Sequence, residues 1–305
     1  MVGIGDDAAV ARAGGELCAS SIDTMVEGVH FRLGEGWATP GEVGWRAMAG
    51  ALSDLAAVGA APGEAFLSLG LPAGFSEQDA LLLALGADEL ASMSGAAIAG
   101  GDVVSAPALF ASVAVNGWLA AGERPLTRGG AGPGDLVGVT GELGAAAAAL
   151  AVMDGRAPSG AGAETALART RRPRPRLAEG RALAASGASA AIDVSDGLAA
   201  DAEQLGRASG VSLVLQAELL PLAPGVEDVA SRLGLAGPVL AAAGGEDYEL
   251  CFCVPQARRG AVEAAVSGAG GTLSWIGEAR EGLPGARLLD RRGDVVRAEG
   301  YEHRW

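Results

Sequence analysis

Residues 189–216 read SAAIDVSDGLAADAEQLGRASGVSLVLQ, and this stretch decides the fold class. A short apolar run ends in the acidic turn IDVSDG, a helical pattern continues as far as Gly210, and VSLVL reads as a second strand. Strand, turn, helix and strand in this order are typical of an α/β (α+β) protein. We therefore predict sheets covered by helices, with acidic side chains where a strand ends.

The segment before residue 120 shows the same alternation. ELCASSIDTMVEG, AFLSLGLP, AAIAGGDVV and ALFASVAVNGWL read as strands, with at least one hairpin among them. Thr39, Pro40 and Glu42 form a capping-box pattern, which predicts a helix that ends near Gly59. Ser76 predicts the start of a second helix.

A stretch rich in Gly and Pro, AAGERPLTRGGAGPGD, interrupts this pattern. We place a boundary there and predict two domains, 1–122 and 123–305. In the second, DLVGVTG reads as a strand leading into an alanine-rich helix from Glu142, and GGEDYELCFCVP contains a later strand. We interpret the arginine-rich run 169–176 as a solvated helix entry rather than an anion-binding patch.

The composition excludes several classes of protein. A net charge of −15 argues against a nucleic-acid partner, because phosphate backbones bind basic surfaces. The absence of lysine excludes a Walker A loop, a protein-kinase strand lysine and Schiff-base chemistry. Since no apolar run reaches the roughly 18 residues of a membrane span, we expect a soluble cytoplasmic protein. We interpret Cys18, Cys251 and Cys253 as buried reduced thiols, because they lack zinc spacing.

Acidic residues lie at the ends of predicted strands or beside glycines. In IDVSDGL, Asp193 and Asp196 flank Ser195 just before a helix, whose free N–H groups would attract anions. Asp196 could instead be the N-cap of that helix. Similar positions hold Asp7, Asp23, Asp54 and Asp102.

Oxygen ligands without a His or Cys cluster favour Mg²⁺, which is commonly shared between carboxylates and substrate phosphates. With no lysine available, such a site predicts nucleotide phosphoryl chemistry, and Arg128 is a candidate phosphate contact. Asp6 and Asp7 are adjacent, so we expect only one of them to face the other acids.

Seven motifs run in order over nearly the whole chain: GIGDDAAV, IDTMVEGVHF, ALSDLAAVGAAP, GGDVV, LTRGGAGPGD, AIDVSDGLAAD and GGEDYELCF. This series resembles that of the thiamine-monophosphate kinase family, in the PurM-like (AIR synthase-related) superfamily. VEGVHF and GGEDYEL separate that family from its superfamily relatives. The resemblance implies a two-domain PurM-like fold and a homodimer that pairs its N-terminal domains.

The resemblance also implies roles for individual residues. Several Mg²⁺ ions would be held by Asp7, Ser21, Ile22, Asp23, Asp54, Asp102, Asp193 and Asp196. ATP would contact Gly101, Asp102, Arg128 and Ser195, and thiamine phosphate would contact His30, Glu246 and Tyr301. Ile22 stands where the family often has Thr, which matters little if the main-chain carbonyl is the ligand. The family also usually has a helical segment before GIGDD.

We therefore expect ATP-dependent phosphorylation of thiamine phosphate to thiamine diphosphate, by direct transfer without a covalent enzyme intermediate. One alternative is another ATP-dependent ligase or synthetase of the superfamily, such as an AIR synthase-like enzyme. A selenophosphate synthetase is disfavoured because Cys18 lies inside a predicted strand. A non-catalytic Mg-nucleotide binding protein is the remaining alternative.

Overall fold

A computed structural model describes residues 1–158, 160–298 and 300, which form two β-sheets covered by helices. The strands are β1 Ala9–Ala13, β2 Glu16–Val26, β3 Ala61–Leu71, β4 Ala97–Ser105, β5 Phe110–Leu119, β6 Leu136–Thr140, β7 Ala190–Asp193, β8 Ser212–Gln216, β9 Leu250–Val254, β10 Leu273–Arg280 and β11 Gly285–Leu289. The helices are α1 Pro40–Val58, α2 Glu77–Ser94, α3 Ala145–Met153, α4 Ala161–Arg171, α5 Leu177–Ser186, α6 Leu198–Ser209, α7 Val226–Arg232, α8 Gly237–Ala243 and α9 Arg259–Gly268. Tyr301, predicted to contact substrate, lies outside the described residues, as does Trp305.

The N-terminal sheet has the strand order β1-β2-β5-β3-β4. A hairpin joins β1 and β2, but the prediction of a hairpin among the four strands β2 to β5 is wrong, because β5 inserts between β2 and β3 and β4 pairs with β3 in parallel. Helices α1 and α2 pack on one face. The other face carries exposed apolar side chains such as Ile22, which is 69% exposed, and Phe66, which is 42% exposed.

Helix α1 lies between the two sheets and is buried along most of its length. The predicted capping box starts it, because Thr39 Oγ1 accepts from the Glu42 amide at 3.3 Å and the Glu42 carboxylate accepts from the Thr39 amide at 2.7 Å. Gly59 ends the helix in the left-handed region. Ala56 and Ala57, near that end, pack against apolar side chains of the second sheet.

The C-terminal sheet has the order β11-β8-β10-β6-β9-β7 and is mostly antiparallel, with β8 and β11 parallel. The stretch 189–216 forms β7, α6 and β8 as predicted, yet β10, β6 and β9 separate the two strands. Cys251 and Cys253 are buried free thiols on β9, which confirms that prediction for both, whereas Cys18 on β2 is a free thiol that is only half-buried, so the prediction of burial is wrong for it. Burial raises the pKa of Cys251 to about 12.

The prediction that a helix begins at Glu142 is wrong by three residues, because α3 begins at Ala145. Gly144 has a φ of 88° there, and the half-buried Asp247 carboxylate accepts from its amide at 2.6 Å and from the Ala146 amide at 3.3 Å. A distant acid therefore caps α3. Among the described helices, none is long and apolar enough to cross a membrane.

Candidate active site

Three carboxylates from distant parts of the chain meet beside α1. Asp7 precedes β1, Asp54 belongs to α1, and Asp193 is the last residue of β7. Each offers an oxygen that lies within 4.8 Å of the others. We call these three residues the acid cluster. The sequence pattern alone selected Asp7 and Asp54, and the family resemblance implied the metal-binding role of Asp193.

The acid cluster holds its charges at a cost in free energy. Burial and the charge of Asp7 together raise the pKa of Asp193 to about 7. Burial also raises the pKa of Asp7 to about 6, although the Arg128 guanidinium opposes that rise. The pKa of Asp54 lies well above its ordinary value because of burial and the charge of Asp193. Folding therefore places like charges where water does not solvate them well.

Arg128 supplies positive charge at one side of the acid cluster. Its Nη2 lies 2.7 Å from Asp7 Oδ1, its Nε lies 3.2 Å from the same oxygen, and its Nη1 donates to Gln204 at 2.7 Å. The Asp6 carboxylate turns away and accepts from the Arg128 amide at 3.2 Å. Only Asp7 of the adjacent pair enters the cluster, as predicted.

The acid cluster fits a hard divalent cation. Its donors are all carboxylate oxygens, which Mg²⁺ prefers. Asp7 Oδ2 is buried and accepts no hydrogen bond from any residue that the structure describes. Ser21 Oγ donates to Asp54 Oδ2 and orients that carboxylate. An oriented set of acids with an unsatisfied oxygen is what a cation would complete.

Asp23 extends the negative charge along β2. Gly50 of α1 makes room for it, because a Cβ atom there would lie 2.1 Å from Asp23 Oδ2. The Thr24 amide donates to Asp23 Oδ1 at 2.7 Å. Burial raises the pKa of Asp23, and the charges of Glu246 and Asp196 add to the effect.

The IDVSDGL turn differs from one of its predicted roles. The N-cap of α6 is Gly197, with no side-chain cap bond, so the alternative role of Asp196 as N-cap is wrong. The amides of Ser195 and Asp196, which precede the helix, both donate to Asp201 Oδ2 at 3.1 Å. Asp201 is 1% exposed and holds the turn, so that Asp196 lines the cleft described next.

A cleft of about 780 Å³ runs from Asp54 and Asp193 to the loop between β2 and α1. Asp23, Ser195 and Asp196 line its acidic end. His30 lines it further along, and its Nδ1 accepts from the Val26 amide at 3.0 Å. In a neutral His30 ring the proton is therefore on Nε2.

Glu246 also lines the cleft, in a backbone conformation with a φ of 62° that non-glycine residues rarely adopt. Its carboxylate pairs with Arg46 Nη2 at 2.5 Å, and Arg46 donates to the His30 carbonyl at 2.9 Å. Sequence reasoning missed Arg46. The signal was its spacing of four and eight residues from Gly50 and Asp54, which places all three on one face of α1.

Asp102 and Gly101 lie apart from the cleft, on edge strand β4. Asp102 is exposed. It pairs with Ser68 of β3, which in turn pairs with Ser112 of β5, so the three side chains share the outer face of the sheet. Asp23, by contrast, faces α1. The side chain of Ile22 is on the outer face too, so any metal contact there would use its carbonyl. Close packing requires glycine at position 101, since a Cβ atom there would lie 1.8 Å from the Leu67 carbonyl oxygen.

Family models and known proteins match the chain over nearly its whole length. The family model "AIR synthase related protein, N-terminal domain" matches residues 5–119, and the corresponding C-terminal domain model matches residues 132–286. Thiamine-monophosphate kinase of Salmonella typhimurium is 37% identical over 311 residues, covering 99% of this chain and 91% of that protein.

Two solved structures are also similar. "AaThiL complexed with AMPPCP and TMP" has a TM-score of 0.86 and 29% identity, over 98% of this chain and 91% of that one. The thiamine-monophosphate kinase of Stenotrophomonas maltophilia K279a has a TM-score of 0.82 and 34% identity, over 97% and 92% of the two chains.

Proposed function

The chain belongs to the thiamine-monophosphate kinases of the AIR synthase related family, and on this premise we propose that it transfers the γ-phosphoryl group of ATP to the phosphate of thiamine phosphate. The products are thiamine diphosphate and ADP. The observation that carries the proposal is the acid cluster of Asp7, Asp54 and Asp193 at one end of a cleft that also contains His30 and Glu246.

We propose that Asp7, Asp54 and Asp193 hold one Mg²⁺ ion, and that Asp23, Asp196 and the neighbouring Ser21 and Ile22 carbonyl help to hold others. When bound, Mg²⁺ neutralises phosphate charge and stabilises the charge that develops on the transferred group. The support is the buried, unsatisfied oxygen of Asp7 and the raised pKa values of the three acids.

The protein's own groups position the reactants. Arg128 is placed to move from Asp7 to a phosphate oxygen of ATP, since its side chain is 20% exposed beside the cluster. Ser195 is proposed as a further ATP contact. The acceptor oxygen belongs to a phosphate that is already ionised, so transfer needs neither a nucleophilic side chain nor a general base.

We propose that His30 and Glu246 contact thiamine phosphate, with Tyr301 as a third contact from the C-terminal segment. Arg46 holds Glu246 in its strained conformation and also holds the loop that carries His30. The two acceptor contacts are thus fixed by a single buried guanidinium.

We further propose a homodimer in which the outer faces of the N-terminal sheets pair. Such pairing would cover the exposed Ile22 and Phe66. It would also explain Asp102 and its neighbour Gly101: because the Asp102 side chain lies across the sheet from the acid cluster, this part of β4 would serve the ATP site of the partner protomer. We keep 122/123 as the proposed domain boundary. A cytoplasmic location is proposed because all three cysteines, each in the described part of the chain, are free thiols.

The experiment that tests this function is an ADP-release assay with Mg-ATP and a panel of acceptors. ADP formation that requires thiamine phosphate is expected. Turnover only with an amidine-forming precursor of the aminoimidazole type would favour the AIR synthase-like ligase. ATP binding without turnover on any acceptor would favour a non-catalytic binding protein.

A further inference from the structure

Trp37 lies at the end of the cleft opposite the acid cluster. It belongs to the loop between β2 and α1 that also carries His30. Backbone hydrogen bonds fix its place, because its amide donates to the Gly34 carbonyl at 3.1 Å and the next amide, of Ala38, donates to the Arg32 carbonyl at 3.1 Å. The indole is therefore presented by an ordered turn.

The surroundings of Trp37 differ from the acidic end of the cleft. Val29, Leu150 and Met153 line the cleft with it, and Val29 and Leu150 are 55% and 45% exposed although they are large and apolar. One end of the cleft thus suits phosphates with metal, and the other suits a flat, weakly hydrated ring.

The Trp37 ring already accepts a delocalised cation on its face. The guanidinium carbon of Arg32 lies 4.5 Å from the ring centroid. Arg32 is loosely held, since its side chain is 57% exposed and its ion pair with Asp154 measures 3.3 Å. Asp154 also pairs with Arg156 at 3.4 Å, so it keeps a partner if Arg32 moves.

We propose that Trp37 is a specificity-determining residue, whose ring face binds the thiazolium ring of thiamine phosphate in place of the Arg32 guanidinium. This rests on the proposed function and names a contact for the acceptor that none of the motifs supplies. A planar, delocalised cation bound to an aromatic face gains electrostatic attraction that a neutral ring of the same shape does not. Trp37 would thereby select thiamine phosphate over phosphate esters whose ring carries no positive charge.

The test compares thiamine phosphate with its neutral analogue, in which thiophene replaces the thiazolium ring, by calorimetric titration of the full chain. Trp37→Ala should weaken thiamine phosphate binding about tenfold and the neutral analogue much less, while ATP affinity changes less than about twofold. Trp37→Phe should retain part of the preference for the cation. Equal losses for both acceptors, or a loss confined to ATP, would overturn the proposal.

Two further variants keep the test independent of folding. Trp275 also carries an arginine over its ring, with Arg259 at 5.6 Å, but it lies outside the cleft. Quenching of tryptophan fluorescence by thiamine phosphate should fall in Trp37→Phe and persist in Trp275→Phe; the reverse would contradict the proposal. Arg32→Gln should leave binding unchanged or tighter, and weaker binding would make Arg32 the contact. If the wild-type protein does not phosphorylate thiamine phosphate at all, that result contradicts the proposed function itself, whereas the outcomes above concern only the role of Trp37.

Discussion

Asp7 Oδ1 lies 2.7 Å from Arg128 Nη2, so the acid cluster is partly neutralised by a side chain that is itself proposed to bind phosphate. The same face of the Arg128 guanidinium cannot bind Asp7 and a phosphate at the same time. We therefore expect Arg128 to leave Asp7 for a phosphate oxygen when Mg-ATP binds, and Asp7 would then be free to serve as a ligand of the ion.

Loss of one acid from the cluster should reduce turnover strongly. Asp7→Asn and Asp54→Asn are each expected to lower kcat by at least about a hundredfold, because they remove a ligand that acts where charge develops. Steady-state kinetics at saturating Mg-ATP provide the measurement. Asp6→Asn is the matched control: it should cost much less, since Asp6 binds the Arg128 backbone and lies outside the cluster. Near-normal turnover of both cluster variants would remove the metal site.

Without metal, the same variants should differ in stability. Asp54 has Ser21 as its hydrogen-bond donor and the charges of Asp193, Asp7 and Asp23 nearby, so Asp54→Asn should raise Tm in EDTA by a few degrees. Asp7→Asn should raise it less, because it also removes the ion pair with Arg128. Thermal melts in EDTA test this order. A clear drop in Tm for Asp54→Asn would mean that its charge is structural.

Asp102 should act in the partner's site if the dimer forms as proposed. Asp102→Asn and Asp54→Asn are each expected to be nearly inactive alone, whereas mixed dimers should regain activity. In a mixed dimer one site has lost both acids and the other has kept both. Co-expression with two tags, purification of the mixed species and an activity assay provide the measurement. Mixed dimers as inactive as their parents would place Asp102 in the site of its own chain, or in none.

The pH dependence of stability should include a contribution from Asp247. Burial raises its pKa from 3.8 to about 7, with the charge of Glu249 adding to the rise. Because the folded pKa is above the unfolded one, protonation favours the folded state, and this carboxyl makes folding less favourable as pH rises from about 4 to 7. Asp247→Asn should therefore gain stability relative to wild type between pH 4.5 and pH 8, by up to a few kcal/mol.

Urea unfolding in EDTA at the two pH values measures this gain. The exposed Asp88→Asn variant is the control and should show no such change. A difference between Asp247→Asn and wild type that stays constant with pH would show that the two helix N–H groups, and not burial, determine the state of this carboxyl.

Local sequence signals predicted much of the fold. The capping box of Thr39 and Glu42, the Ser76 cap and the strand patterns act over a few residues, and the structure has them where expected. The strand order could not be predicted in this way, because the insertion of β5 between β2 and β3 depends on long-range pairing. The α3 start was misplaced for the same reason, since its cap comes from Asp247, about a hundred residues away.

The candidate site shows the same division. Strand-end acids and small helix faces led to Asp7, Asp23 and Asp54 without any structure. Arg46 was missed because its partner Glu246 lies 200 residues away and becomes a neighbour only after folding. Asp201 was missed although the amides that it binds lie only five and six residues before it. The sequence pattern grouped Asp102 with the other acids, but the pairing register of β4 places its side chain on the face of the N-terminal sheet that points away from α1.

Formation of thiamine diphosphate from ATP and thiamine phosphate tests the central claim most directly. The purified chain is incubated with both substrates, with Mg²⁺ or with EDTA, and the products are separated and quantified. We predict thiamine diphosphate and ADP in equal amounts, only when Mg²⁺ is present, and at least about a hundredfold more slowly in Asp54→Asn. ADP without thiamine diphosphate, or product formed equally well in EDTA, would contradict a metal-dependent thiamine-phosphate kinase built on Asp7, Asp54 and Asp193.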